Sequence, residues 1–359
     1  MMPHEMLIGI LAGDNDRSGS FYGNISLFKA IQRHLAEQNS SSFVFTPSGM
    51  KEKSIVGYIY EPNENCWLKK KFLYPDVVYN RYPFRDTVQK TDFVFRSLNN
   101  KNIPYFNRHF FNKWDVITCL QKNKHLLPVI PESQLVTSKQ DFYTFFEKYP
   151  SVYLKPVGQS QGKGIIKITA ESKHNYIIKT VNSIKNESSL ENIWKEIKHF
   201  ILNEPYMMQQ EIVSDQINSQ KYDLRILVHY SQNKYVISGI GVRASKNITT
   251  HVVHGGTILP FSFVKNRVDT KKLETICHEI GSTLSQCFQF IGEFSIDAGI
   301  DTKGNIFIYE VNSKPMVFDE KDIFQNGIVQ LSKLFHHLAK NRIDSKKLDK
   351  NGCTSHKFL

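Results

Sequence analysis

The chain has 359 residues, a formal net charge of +12, 40% hydrophobic content and 22% charged content, enough for two or three associated subdomains around ordinary globular cores. No apolar run reaches the ~18 residues needed to cross a bilayer, and Leu7–Ala12 is too short for a signal peptide and reads as a first strand. Cys66, Cys119, Cys277, Cys287 and Cys353 are odd in number and never spaced C-x-x-C, which fits a reducing, cytosolic interior better than a disulfide framework.

Basic residues are dispersed, apart from Lys69-Lys70-Lys71 and the stretch from Lys340 to Lys357, and no RNP, zinc-finger or basic-zipper pattern accompanies them. Solvated surface charge is therefore preferred to a nucleic-acid interface.

Met6–Ala12 is an apolar strand, and Phe21–Glu37 has helical periodicity. Phe43–Thr46, Ile55–Tyr60 and Asp76–Tyr82 read as strands separated by Pro, Gly and Asn, and Asp86–Leu98 as a helix. This alternation indicates an α/β domain over residues 1–107. Its phrase Pro75–Arg81 ends a strand on polar groups, either a binding edge of an open sheet or a simple strand end.

Phe110–Asn123 reads as a helix with Lys113 in its first turn, and Asp141–Tyr149 as another. Val152–Val157 is a strand containing Lys155, and Ile165–Thr169 is the next one. Between them lies Gly158-Gln159-Ser160-Gln161-Gly162-Lys163-Gly164. Glycines there let backbone N–H groups close over phosphates, and Lys155 places a fixed cation beside them. The loop lacks the spacing of a Walker A motif.

Tyr176–Val181 reads as a strand, Leu190–Leu202 as an amphipathic helix and Tyr206–Val213 as a strand running into a loop. Tyr222–Tyr230 and Lys234–Ala244 are long strands carrying Asp223, Arg225 and Arg243. His251 and His254 have no companions that would complete a metal site. Asp269–Phe290 and Lys321–Lys340 read as helices in which Cys277 and Cys287 are packing residues, and 341–359 as a mobile basic tail.

Glu293–Ile300 and Asn305–Val311 alternate apolar and polar residues around Asp301-Thr302-Lys303-Gly304, a hairpin signal. Glu310 and Asn312 share a strand face, and the hairpin brings Asp297 beside them. Three oxygen donors without Cys or His suit Mg²⁺, with Mn²⁺ as the alternative.

Taken together, Lys113, Lys155, the Gly-rich loop, Gln209–Val213 and the Glu-Val-Asn-x-x-Pro phrase at Glu310–Pro315 resemble the ATP-grasp superfamily over residues 108–338. The resemblance implies an ATP-grasp fold, α/β (α+β) in class, behind an N-terminal α/β domain. A lid subdomain would span about 125–210 and a metal-binding subdomain about 211–340. Lys113 and Lys155 would be the two nucleotide lysines, and Gly158, Gln161, Gly162, Lys163 and Gly164 the phosphate-covering loop. Gln210, Glu211 and Ile212 would form the adenine hinge and ribose contact, with Asp223 among the nucleotide-binding residues. Asp297, Glu310 and Asn312 would hold the metal, and Arg225 and Arg243 would be catalytic.

Phe45-Thr46-Pro47, Gly57-Tyr58 and Pro75–Arg81 extend the resemblance to the endospore-coat-associated YheC/YheD type over nearly the whole chain. The resemblance implies an ATP- and Mg²⁺-dependent ligase joining a small-molecule or peptide carboxylate to an amine through an acyl phosphate. It would be made in the cytoplasm and associated with spore-coat proteins. The spacing from Arg243 through Asn247 to Gly255-Gly256 departs from that of peptide ligases, leaving the acceptor residues open. The alternative is a coat component that keeps the fold and nucleotide binding without turnover.

Overall fold

A computed structural model describes residues 5–15, 19–84, 88–160, 162–250 and 252–350. The amino-terminal part runs β1 (Leu7–Leu11), β2 (Gly13–Asn15), β3 (Ser20–Tyr22), α1 (Ile25–Ala36), β4 (Ser41–Met50), β5 (Ile55–Glu61), β6 (Cys66–Phe72), β7 (Val77–Asn80), α2 (Val88–Asn100) and β8 (Tyr105–Phe106). Its sheet has the order β6-β5-β4-β1-β7-β8. Strands β4, β1, β7 and β8 are parallel, while β5 and β6 fold back antiparallel. The start expected for the first helix, near Phe21, is instead the small β2–β3 hairpin, and Asn24 caps α1 by accepting from the Leu27 N–H.

Next come α3 (Lys113–Leu120), β9 (Ser133–Val136), α4 (Lys139–Lys148), β10 (Ser151–Pro156), β11 (Ile166–Ser172), β12 (Asn175–Lys179), β13 (Ile184–Glu187), α5 (Leu190–Asn203) and β14 (Tyr206–Gln210). These strands form an antiparallel sheet, β13-β12-β11-β10-β14-β9. Helices α4 and α5 cover one face, burying Phe142, Phe145, Phe146, Ile193 and Ile197 against Val152, Leu154, Ile168 and Met208. Alternation along β10 leaves Tyr153 and Lys155 on the other face.

The remainder is β15 (Gln216–Ile217), β16 (Gln220–Ser231), β17 (Lys234–Ser245), β18 (Thr257–Leu259), α6 (Thr270–Phe288), β19 (Glu293–Ile300), β20 (Ile306–Asn312) and α7 (Lys321–Lys350). Its sheet has the order β18-β17-β16-β19-β20. Helix α6, capped by Asp269, buries Leu273, Ile276, Cys277, Ile280 and Leu284 at helical spacing. Each such aliphatic side chain contributes about 1.5–3 kcal/mol.

Helix α7 continues to Lys350, into the stretch expected as a tail. Within it, Arg342 donates to the carbonyls of Pro75, Asp76 and Lys101. The cysteine expectation is corrected. Cys287 is no mere packing residue but is disulfide-bonded to Cys119 across 168 residues, joining α3 to α6. Cys277 is free and buried, Cys66 is free, and Cys353 lies outside the described residues.

The polar end of β7 joins the amino-terminal sheet to the carboxy-terminal one. Glu293, 4% exposed, accepts from the Tyr79 hydroxyl at 2.5 Å and from Arg81 at 3.3 Å. Asn80 donates to the carbonyls of Asn107 and Arg108. Burial alone raises the Glu293 pKa, but His229, Arg81 and Tyr79 outweigh it and hold the carboxyl below its ordinary range. Of the two sequence readings of Pro75–Arg81, these contacts support a structural end.

Candidate functional site

The lid sheet and the carboxy-terminal sheet face one another across a cleft of about 1350 Å³ that is open to solvent. Strand alternation decides what reaches it. Strand β10 sends Tyr153 and Lys155, and β16 sends Lys221, Asp223 and Arg225 at every second position. On the hairpin, Asp297 is the register partner of Glu310, and Ser295 that of Asn312. The register shifts after Asp297, so Ala298 pairs with Ile308 and Tyr309 is the extra, bulged residue. Tyr309 and Glu310 therefore both line the cleft although they are adjacent in sequence.

Lys155 donates to the Gln209 side chain at 2.6 Å, and its ammonium lies 5.8 Å from the ring centroids of both Tyr153 and Tyr309. Burial is the main cause that lowers its pKa to about 8. Glu310 and Asp223 oppose that shift, while Lys113 and Lys221 reinforce it. Lys221 is lowered for the same first reason, and donates to the Ile248 carbonyl at 2.6 Å.

Lys113 comes from the first turn of α3, which Asn112 caps. Its ammonium sits 3.3 Å from Glu310 Oε1 and also donates to the Gln159 carbonyl. It thus ties the Gly-rich loop to the hairpin. Gly162 and Gly164 have φ of 72° and 70°, left-handed values that a side chain would strain. Lys163 and Gly158 are exposed, and Gln161 lies outside the described residues.

The other expected site residues divide. Gln210 and Ile212 line the cleft, as does Asp223, which accepts from the Thr250 hydroxyl at 2.6 Å. Glu211 lies off the wall, paired with Lys167 at 2.6 Å and accepting from Ser151 at 2.5 Å. Asn312 sits two residues beyond Glu310 and is not on the cleft wall.

Arg225 lines the cleft, with its guanidinium 5.0 Å from the Phe318 ring and 3.4 Å from the Met316 carbonyl. Arg243, 4% exposed, donates to both Glu320 oxygens at 2.5 and 3.0 Å and to Asp319 at 3.3 Å. Gly255 and Gly256 are absent from the described wall, where Ile248, Thr249, Thr250 and Val252 stand instead. His251 lies outside the described residues.

Sequence reasoning missed Tyr153, Lys221, Tyr309 and Thr249. Period two from Lys155 and from Asp223 would have found the first two. The bulge that turns Tyr309 inward and the chain path that brings in Thr249 leave no such signal.

Among the described residues no three His, Cys, Asp or Glu side chains are grouped to hold a metal. Two opposed carboxylates with an amide on the same face still fit Mg²⁺, which takes few protein ligands and hard oxygens. The Lys113 ammonium lies against one of these carboxylates, Glu310.

Residues 102–339 match the family described as YheC/D like ATP-grasp. The chain belongs to that family. It is 32% identical over 284 residues to the endospore coat-associated protein YheD of Bacillus subtilis (strain 168), covering 74% of this chain but only 62% of YheD, less than two thirds of that relative's length. Its structure is similar to D-alanyl-alanine synthetase A from Vibrio cholerae O1 biovar eltor str. N16961, with TM-score 0.51, 14% identity and coverage of 94% of this chain and 99% of that one. It is also similar to the ATP-grasp ligase PsnB complexed with minimal precursor, Mg and ADP, with TM-score 0.51, 11% identity and coverage of 93% and 98%. The chain therefore has the ATP-grasp fold, built from mixed α and β elements. Among the described residues no helix is long and apolar enough to cross a membrane.

Proposed function

We propose that this ATP-grasp protein is an ATP- and Mg²⁺-dependent ligase that joins a carboxylate to an amine, or to another nucleophile, in association with the endospore coat. One observation carries the reading: Lys155, Lys221 and Arg225 share a cleft with Asp297 and Glu310. That set offers cations for phosphates and oxygens for a hard metal in one place. Lys155 and Lys113 hold phosphate oxygens, the Gly-rich loop covers them, and the main chain of Gln210–Ile212 takes the adenine. Asp297, Glu310 and Asn312 would hold Mg²⁺, which would neutralise phosphate charge.

A carboxylate oxygen attacks the γ-phosphorus, the bond to ADP breaks, and an acyl phosphate forms. The amine then attacks the carbonyl carbon, phosphate leaves, and the nitrogen loses a proton. The residues contribute positioning and charge stabilisation rather than a covalent nucleophile. The cleft itself favours no single substrate within the class of small-molecule or peptide carboxylates and amines.

The competing reading, a coat component that binds nucleotide without turnover, is favoured by the Lys113–Glu310 pair, which engages two proposed site residues with each other. The test incubates the purified chain with Mg-ATP and a pool of amino acids and short peptides, then measures ADP and searches for a product lighter than its parts by one water. Asp297→Asn and Glu310→Gln are expected to lower ADP formation by about 10²–10³-fold, the scale of lost electrostatic stabilisation, with the fold intact by circular dichroism. Either variant matching wild type at limiting Mg²⁺ removes the metal assignment. Mg-ADP binding without turnover across the pool selects the coat-component reading.

A further inference from the structure

The β19–β20 hairpin is closed at one end by its turn and open at the other. Its backbone ladder stops at the Ser295–Asn312 pair. Asn312, the proposed ligand that stands off the cleft wall, therefore sits at the end where strands fray first. Beyond that pair the side chain of Asn107 takes over the pairing. Its Oδ1 accepts from the Gly292 N–H at 2.9 Å and from the Glu293 N–H at 3.4 Å. Its Nδ2 donates to the Glu293 carbonyl at 2.6 Å and to the Ser313 carbonyl. Every hydrogen-bonding position of the amide is used, and together they join the start of β19 to the residue that follows Asn312.

Asn107 is itself firmly held. It is 1% exposed and follows β8 directly, with a left-handed φ of 57° that asparagine tolerates better than most residues with a side chain. Its own N–H donates to the Phe290 carbonyl at 3.4 Å, and its carbonyl accepts from Asn80 at 2.8 Å. Gly292 lets the end of β8 come this close, because a Cβ there would lie 2.5 Å from Phe106 Cδ2. Two residues on, the His109 carbonyl accepts from the Ser313 hydroxyl at 2.7 Å. One segment, 107–109, thus holds Ser313 through both its main chain and its side chain. Packing alone asks for no amide at 107; an amide bonded to both strands fixes their spacing, one residue from Asn312.

We infer that Asn107 is a positioning residue for the metal face of the hairpin: by clamping Glu293 and Ser313 it keeps Asn312 on the strand face that it shares with Glu310. The inference rests on the reading of Asp297, Glu310 and Asn312 as metal ligands.

The test titrates ADP into the full chain by calorimetry, once with saturating Mg²⁺ and once with EDTA, and takes the ratio of the two affinities as the gain owed to the metal. Asn107→Gly keeps the left-handed backbone and deletes the clamp. It is expected to cut that gain about tenfold, the low end for a group that orients a metal ligand, while the affinity in EDTA stays within twofold of wild type. In Asn107→Gly/Asn312→Ala the gain should lie within twofold of that in Asn312→Ala alone, because the clamp then acts through a ligand already removed. A wild-type gain in Asn107→Gly overturns the inference, and so do additive losses in the double variant. An equal loss with and without Mg²⁺ also overturns it, since Asn107 would then support the fold at large. A wild type that gains nothing from Mg²⁺, or an Asn312→Ala variant with undiminished gain, removes the metal assignment instead. Should Asn107→Gly fail to fold, Ser313→Ala decides in its place, because it deletes the bond to His109 from the same clamp. Its gain should fall at least threefold, with no further loss on adding Asn312→Ala, and an undiminished gain overturns the inference.

Discussion

On the lid side of the cleft, Lys155 has a neutral amide, Gln209, as its hydrogen-bond partner and tyrosine rings on two flanks. Across from it, Arg243 faces the carboxylates of Glu320 and Asp319. Both cations line the same cavity. Burial penalises the first and is offset for the second, and the difference separates their roles. A desolvated cation whose hydrogen-bond partner is a neutral amide is poised for an anionic ligand, whereas one already matched by carboxylates has its place fixed.

The largest expected effect comes from breaking the matched side. Arg243→Met leaves the partly buried Glu320 carboxylate without its partner and should destabilise the chain by about 3 kcal/mol, the low end for a broken buried pair, much of which Arg243→Met/Glu320→Leu should recover by removing both charges. Urea unfolding of the two variants checks this. A single variant with wild-type stability would mean that water already compensates the pair.

A somewhat smaller effect tests how the nucleotide side is held. The Cys119–Cys287 bond ties α3, and with it Lys113, to α6. Replacing both cysteines by serine should cost about 2–4 kcal/mol, chiefly by freeing a long loop in the unfolded chain. Thermal melts with and without dithiothreitol provide the check, since only the wild type should respond to the reductant. Equal melting in all four conditions would show that the cross-link does not form in solution.

The cross-link also marks where sequence reading stops. Pairing between cysteines 168 residues apart depends on the packing of α3 on α6, which no local pattern carries. By contrast, the hairpin formed by Glu293–Ile300 and Ile306–Asn312 was legible because polar and apolar residues alternate and a turn lies at Gly304. Lys155 and the Gly-rich loop were legible for the same reason: strand, then loop, then strand. Strand β6 was not, because Lys69, Lys70 and Lys71 mask its period on an exposed edge. Arg225 and Arg243 looked alike in sequence, two residues of one chemical type on long strands. Their difference was set by Glu320, whose approach depends on Gly241 and on where α7 begins.

The smallest expected effect sharpens the unmatched side. With the Lys155 pKa lowered to about 8 from its ordinary 10.5, the ammonium is largely lost above pH 8 when no nucleotide is bound, while an unfolded chain would still carry it. Between those two pH values the unfolded state binds more protons, so this group's contribution to stability rises with pH. Phosphate binding runs the other way. Below pH 8 the charge is already present, and nucleotide affinity should be flat with respect to Lys155. Above it, each bound nucleotide must recapture a proton, so Mg-ADP affinity should fall by up to about tenfold per pH unit. Glu310 and Asp223 favour the charged form and Lys113 and Lys221 oppose it, so a slope in wild type alone would not identify the group. Lys155→Arg supplies the discrimination, because arginine stays protonated throughout and should give a flat profile. Calorimetry at pH 8.8 in two buffers of different ionisation enthalpy should show uptake approaching one proton in wild type and much less in Lys155→Arg. A steep slope in both proteins would move the titration to Lys221, the other cleft lysine whose pKa burial lowers.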